Sequence, residues 1–112
     1  MDFNEYQQKA KQFAIYKHQH KVTYPALGLA SEAGEVCGKI KKVMRDTDGI
    51  LNLKYKYDRV LEIKSELGDV LWYIANIAED LDIPLQEIAE ENIGKLQSRK
   101  DRDKIQGSGD NR

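Results

Sequence analysis

The chain has 112 residues, 18 of them basic and 19 acidic, for a formal net charge of −1. That length holds one domain with one modest core, and the balanced charge gives no bulk field to recruit nucleic acid or an anionic membrane. No apolar run approaches the roughly 20 residues that span a bilayer; the opening MDFNEYQQKA lacks the apolar segment of a secretory signal; and the single cysteine, Cys37, cannot form an intramolecular disulfide, which points to the cytoplasm.

The apolar spacing predicts a first helix over 2–18, ending beside His18 and His20. Both histidines are read as surface residues. Neither completes a Glu-x-x-His motif, which argues against a di-iron carboxylate bundle. Thr23 is the predicted N-cap of a second helix over 24–45, with Pro25 in its first turn, where a missing N–H does no harm. Leu29, Ala33, Val36, Cys37, Ile40 and Met44 form its apolar side, so Cys37 is expected to be buried. Glu32, Glu35 and Lys39 lie to one side of that stripe.

DTDGILNL, 46–53, reads as the main loop. A third helix is predicted over 57–81, with Ile63, Leu67, Val70, Ile74, Ile77 and Leu81 as its core stripe. Glu62, Glu66, Asp69, Tyr73 and Asn76 run along its flank. Trp72 points away from them, towards the core or a subunit contact. Pro84 opens a fourth helix over 84–100. The last residues, GSGDNR at 107–112, form a flexible tail on composition, which leaves 1–106 as the domain. No lasting period-2 alternation marks a strand. The fold class is all-α, a bundle of about four helices.

Two short frames carry the chemistry. SEAGEV at 31–36 and SELGDV at 65–70 repeat Ser, Glu, Gly, an acid and Val in the same order. Each frame puts two acids at i and i+3 on one side of a helix, about 100° of turn per residue. One such pair is ordinarily a solvated face. Two in matching frames, each beside an apolar stripe, point to Glu32, Glu35, Glu66 and Asp69 converging between facing helices. Unpaired, such carboxylates repel and shift their pKa upward. A divalent cation removes the conflict, and hard oxygen ligands favour Mg²⁺ or Mn²⁺ over zinc. Gly34 and Gly68, between the acids of each pair, suggest close helix approach or room for a ligand. No P-loop or Ser/His/Asp set competes with this reading.

LGLASEAGEVCGKIKK followed by EIKSELGDVLWYIANIAEDL resembles the MazG-like nucleotide pyrophosphohydrolases of the all-α NTP pyrophosphatase superfamily. The opening FNEYQQKAKQFAIY and the closing ENIGKLQSRKDRDKIQGSGDNR are similar to the same family, so the likeness covers nearly the whole chain. The family signature is EExxE, a spacer, then ExxD. Glu32, Glu35, Glu66 and Asp69 match four of its acids, and Ser31 stands in place of the first.

The resemblance implies Mg²⁺-dependent hydrolysis of a nucleoside or deoxynucleoside triphosphate to the monophosphate and pyrophosphate, serving nucleotide-pool housekeeping. It implies Glu32, Glu35, Glu66 and Asp69 as catalytic metal ligands, with Mn²⁺ as a substitute ion. Lys39, Lys95 and Arg99 are candidate phosphate contacts, Tyr73 and Asn76 candidate contacts to base and sugar. The family's bundles are completed by oligomerisation, so a homodimer or homotetramer is expected, with Asn92, Lys95 or the tail of one subunit near the metals of another. Arg102, Lys104 and Arg112 could close over substrate. Two other classes fit the residues: a non-catalytic Mg²⁺–nucleotide-binding regulatory module, and a helical interaction protein with solvated acids.

Overall fold

A computed structural model describes residues 1–47 and 57–112. Among them are four α-helices and no strand: α1 (Phe3–Ala10), α2 (Thr23–Asp46), α3 (Tyr57–Asp80) and α4 (Leu85–Asp101). The all-α expectation holds. Residues 48–53 of the expected main loop lie outside the described residues.

α1 begins with a reciprocal capping box. Asp2 accepts from the Glu5 amide at 2.8 Å, and Glu5 reaches back to the Asp2 amide at 3.3 Å. The helix predicted to reach 18 stops at Ala10, continues as a 3₁₀ turn over Lys11–Phe13, and turns extended at Ala14. Tertiary bonds explain the stop. The Trp72 indole donates to the Ala10 carbonyl at 3.1 Å, one of the last carbonyls that a helix leaves unpaired. Farther on, the Tyr16 hydroxyl donates to Asp80 at 2.8 Å. His18–His20 form a separate 3₁₀ turn, with both histidines exposed as read from the sequence.

α2 starts one residue early. Its N-cap is Val22, not Thr23, and Val22 adopts φ 64. That backbone is strained for a β-branched side chain, by about 1–3 kcal/mol. Asp80 holds it there, accepting the Val22 amide at 2.9 Å on the same oxygen that takes Tyr16. Pro25 is buried in the first turn.

α3 ends in a Schellman motif. Asp82 takes the left-handed position at φ 57, Ile83 N donates to Ala78 O at 2.9 Å, and Asp82 N donates to Glu79 O at 3.1 Å. Pro84 is then the N-cap of α4 rather than its first helical residue. It has no capping side chain, and Gln7 of α1 does that work. Gln7 is buried, donates to Ile83 O at 2.9 Å and accepts from Leu85 N at 2.9 Å.

The core is small: Ala10, Ala75, Ala78 and Leu85, with Tyr6, Trp72 and Ile74 packed on it. Trp72 thus lies against the core, as expected. The predicted stripes need correction. Leu67, Leu81 and Met44 are exposed, and so are Ala33 and Cys37, while Val43 and Asn76 are buried. α2 and α3 pack antiparallel along the line through Gly28, Glu32 and Lys39 on one helix and Tyr73, Asp69 and Glu66 on the other. The polar stripe therefore lies in the seam between the helices, and much of the apolar stripe faces outward. The radius of gyration is 17.0 Å, against about 13 Å for a compact chain of this length.

Candidate active site

The seam brings three acids together. One carboxylate oxygen each from Glu32, Glu66 and Asp69 lies within 4.8 Å of the other two. Glu32 and Glu66 are half-buried, and Asp69 is exposed at the mouth. Partial burial, then the facing Glu66 carboxylate and the charges of Asp69 and Glu35, push the Glu32 carboxyl above its usual range. A proton on Glu32 is one way to relieve the crowding, and a cation is the other. Three hard oxygen donors at this spacing fit a divalent ion such as Mg²⁺.

Glu35 is not part of the trio. It is exposed one turn along α2 and acts on Glu32 through its charge. Lys39 stands at the rim, its Nζ 4.0 Å from Glu66 Oε1. Among the described residues, Gly34 and Gly68 have nothing within 4 Å of an added Cβ, so no close approach of the described helices requires them.

Aromatic side chains wall the other end of the site. Tyr16 stacks on Tyr24 with centroids 4.9 Å apart, Tyr24 lies 6.4 Å from Tyr73, and Trp72 meets Tyr73 edge-on at 4.9 Å. With Phe13 and Ile15 they line a recess of about 190 Å³. Burial raises the Tyr73 hydroxyl pKa, with Tyr24, Glu32 and Asp69 adding to it. Burial and then the Asp69 charge raise Tyr6 in the same direction. Tyr73 therefore bridges the aromatic recess and the acids. Asn76, expected to contact base or sugar, is 1% exposed, and its amide donates to the Trp72 carbonyl of its own helix at 2.9 Å.

The α4 candidates sit apart from the trio. Asn92 and Lys95 line an open recess of about 440 Å³ with Ile88 and Glu91. Arg99 is buried, and Lys95 and Arg99 both bond Asp110. Residues 107–112 fold back so that Asp110 meets Lys95 and Arg99 of α4. Arg112 donates there to the carbonyls of Lys104, Ile105 and Gly109, and Arg102 donates to the Arg112 carbonyl.

A model of the MazG nucleotide pyrophosphohydrolase domain matches residues 19–102. The chain belongs to this family. The match spans the helices that carry all three converging acids, so the trio stands inside the MazG domain. Among relatives, the gene 37 protein of Mycobacterium phage L5 is 48% identical over 91 residues, which is 81% of this chain and 76% of that protein. No solved structure matches the chain. No described helix is long and apolar enough to cross a membrane.

Sequence reasoning missed Tyr6, Tyr16, Tyr24 and Gly28. Gly28 carried a signal: it lies one turn before Glu32, on the line that runs on to Lys39. Tyr6 and Tyr16 carried none, because only the fold brings them to α3.

Proposed function

We propose that this MazG-family chain hydrolyses a nucleoside or deoxynucleoside triphosphate to the monophosphate and pyrophosphate. The observation that carries the reading is the convergence of Glu32, Glu66 and Asp69 in the α2–α3 seam, beside an aromatic recess. These three acids would hold Mg²⁺, or Mn²⁺ in its place, with Glu35, one turn along α2, as the fourth acid of the proposed set. When bound, the ion neutralises phosphate charge and acidifies a water.

The chain's own residues supply placement. The acids define where the phosphates must lie, because a triphosphate is repelled from them unless a cation stands between. Lys39 at the rim meets a phosphate oxygen. Tyr73 and its aromatic neighbours offer flat faces for a base, and a base–aromatic stack contributes about 1–3 kcal/mol. Asn92, Lys95 and Arg99 contact phosphate from α4, in the same subunit or across an interface.

The assembly is a homodimer or homotetramer. Leu27, Met44 and Leu67 are 68%, 58% and 52% exposed on α2 and α3, and a second copy of the pair would cover them. The cytoplasm, where triphosphates are abundant, is the compartment we infer for a housekeeping role.

The test is pyrophosphate release from a panel of ribo-, deoxy- and oxidised triphosphates with Mg²⁺, Mn²⁺ or chelator, for the wild type and Glu66→Gln. Metal-dependent turnover abolished in the variant is the expected result. No turnover by the folded oligomer on any substrate would overturn the reading in favour of a nucleotide-binding or structural role.

A further inference from the structure

Arg99 is the most deeply buried cation among the described residues, with its side chain 7% exposed. Its counter-ion is the opposite case: the Asp110 side chain is 81% exposed. One oxygen, Asp110 Oδ1, serves both Lys95 Nζ and Arg99 Nη2, each at 3.1 Å, and the Asp110 carbonyl accepts from Arg99 Nη2 at 2.8 Å. Arg99 Nε, on the same edge of the guanidinium as Nη2, is buried with no hydrogen-bond partner among the described residues. That edge normally takes two parallel oxygens, as a carboxylate or phosphoryl group offers them. Asp110 therefore fills the place of such a group incompletely.

The segment that delivers Asp110 is built as a closed loop. Asp103 at φ 55, Gly107 at φ 112 and Gly109 at φ 89 turn the chain back. Arg112 fastens it, donating to Gly109 O at 2.6 Å, Ile105 O at 3.1 Å and Lys104 O at 3.2 Å, while Arg102 Nη2 donates to Arg112 O at 2.8 Å. Lys95, then Arg99, hold the Asp110 carboxyl below the usual range. Asp110 is thus ionised at neutral pH and presents one negative charge to two cations. Lys95 and Asp110 are both exposed, so their pair is a weak fastening, and Asp110 meets Arg99 from the solvent side.

We propose that the strap 103–112 occupies the Lys95–Arg99 cations as an internal stand-in for a phosphoryl group, and that an oligophosphate must displace Asp110 to bind. The proposal rests on the reading above that Lys95 and Arg99 contact phosphate. A phosphoryl group brings more charge than Asp110 and enough oxygens to pair Arg99 Nε and Nη2 together with Lys95. The strap then sets how much ligand is needed and has no part in the chemistry.

The experiment measures binding of inorganic triphosphate to the full chain by calorimetry, in chelator, where the acidic trio repels the ligand. Asp110→Asn keeps the shape and removes the competing charge. Arg112→Ala loosens the strap without touching either cation. Both are expected to tighten binding roughly 3- to 10-fold. Arg99→Lys, which lacks the paired edge, is expected to weaken it in either background. In turnover, Asp110→Asn is expected to lower KM with kcat unchanged.

Equal affinity of the wild type, Asp110→Asn and Arg112→Ala for triphosphate overturns the strap, whatever the turnover. Tighter binding by both variants in a protein that hydrolyses nothing sustains the strap and removes the hydrolase reading.

Discussion

The ring of Tyr73 occupies the space where a side chain would begin at Gly28. A Cβ built there would fall under 3.0 Å from three atoms of the ring. Glycine is what allows Tyr73 to lie in the seam, at once an aromatic wall and a neighbour of the acids.

Gly28→Ala is therefore expected to destabilise the chain by about 1–3 kcal/mol, as overpacking does. It should also raise KM by moving Tyr73, the proposed base contact. The check is a double-mutant cycle: Tyr73→Ala alone costs stability, but in the Gly28→Ala background it should recover part of what the alanine lost. Additive losses would mean that the two residues do not share the space.

The acidic trio makes stability depend on pH and metal together. The folded Glu32 pKa is raised above its unfolded value, first by burial and then by its acidic neighbours. Its contribution is present below the unfolded value and is lost as pH rises through the raised one. A bound cation restores it by replacing the proton. Mg²⁺ should thus raise the melting temperature more at about pH 8 than at about pH 5, with roughly 2.7 kcal/mol gained at a hundredfold excess over Kd. Thermal unfolding across pH, with and without Mg²⁺, reads this directly. Glu66→Gln should flatten the difference.

The helices α2 and α3 were legible because long 3.6-residue periodicity marks them, with Pro25 at the start of α2 and Pro84 beyond the end of α3. The paired acids were legible because SEAGEV and SELGDV repeat. What the sequence did not show was which stripe faces the partner helix. Hydropathy places Leu67 inside and Glu66 on the flank, yet Leu67 is 52% exposed and Glu66 stands in the seam. Among the described residues, α1 and α4 pack on α3 around Trp72, Ala75 and Ala78 and leave Leu67 exposed. The break after Ala10 was hidden for a different reason: it depends on Trp72 and Asp80, more than 60 residues away in sequence. Gln7, which caps α4 from α1, was invisible on the same ground.

Asp80 makes a sharper test of that long-range wiring. It accepts the Tyr16 hydroxyl and the amide of strained Val22 on one oxygen. Asp80→Ala should cost about 2–4 kcal/mol, from two lost charge-assisted bonds and a backbone no longer held. Val22→Gly in that background should recover about 1 kcal/mol, because glycine accepts the positive φ. Chemical denaturation measures both. Since Tyr16 stacks on Tyr24 in the aromatic recess, Asp80→Ala should also weaken nucleotide binding.

The exposed apolar face of α2 and α3 bears on assembly. Leu27 and Leu67 are each more than half exposed, and burying what remains exposed would contribute about 1–2 kcal/mol each. Leu67→Lys places a charge where a second copy is expected to pack. It should shift the sedimentation profile from oligomer to monomer while the helical circular dichroism of each chain persists. Because Leu67 neighbours Glu66 on α3, dissociation should lower turnover as well. Leu81→Lys, on an equally exposed leucine at the end of α3, is the control. If both variants sediment as the wild type does, the α2–α3 face is not the interface.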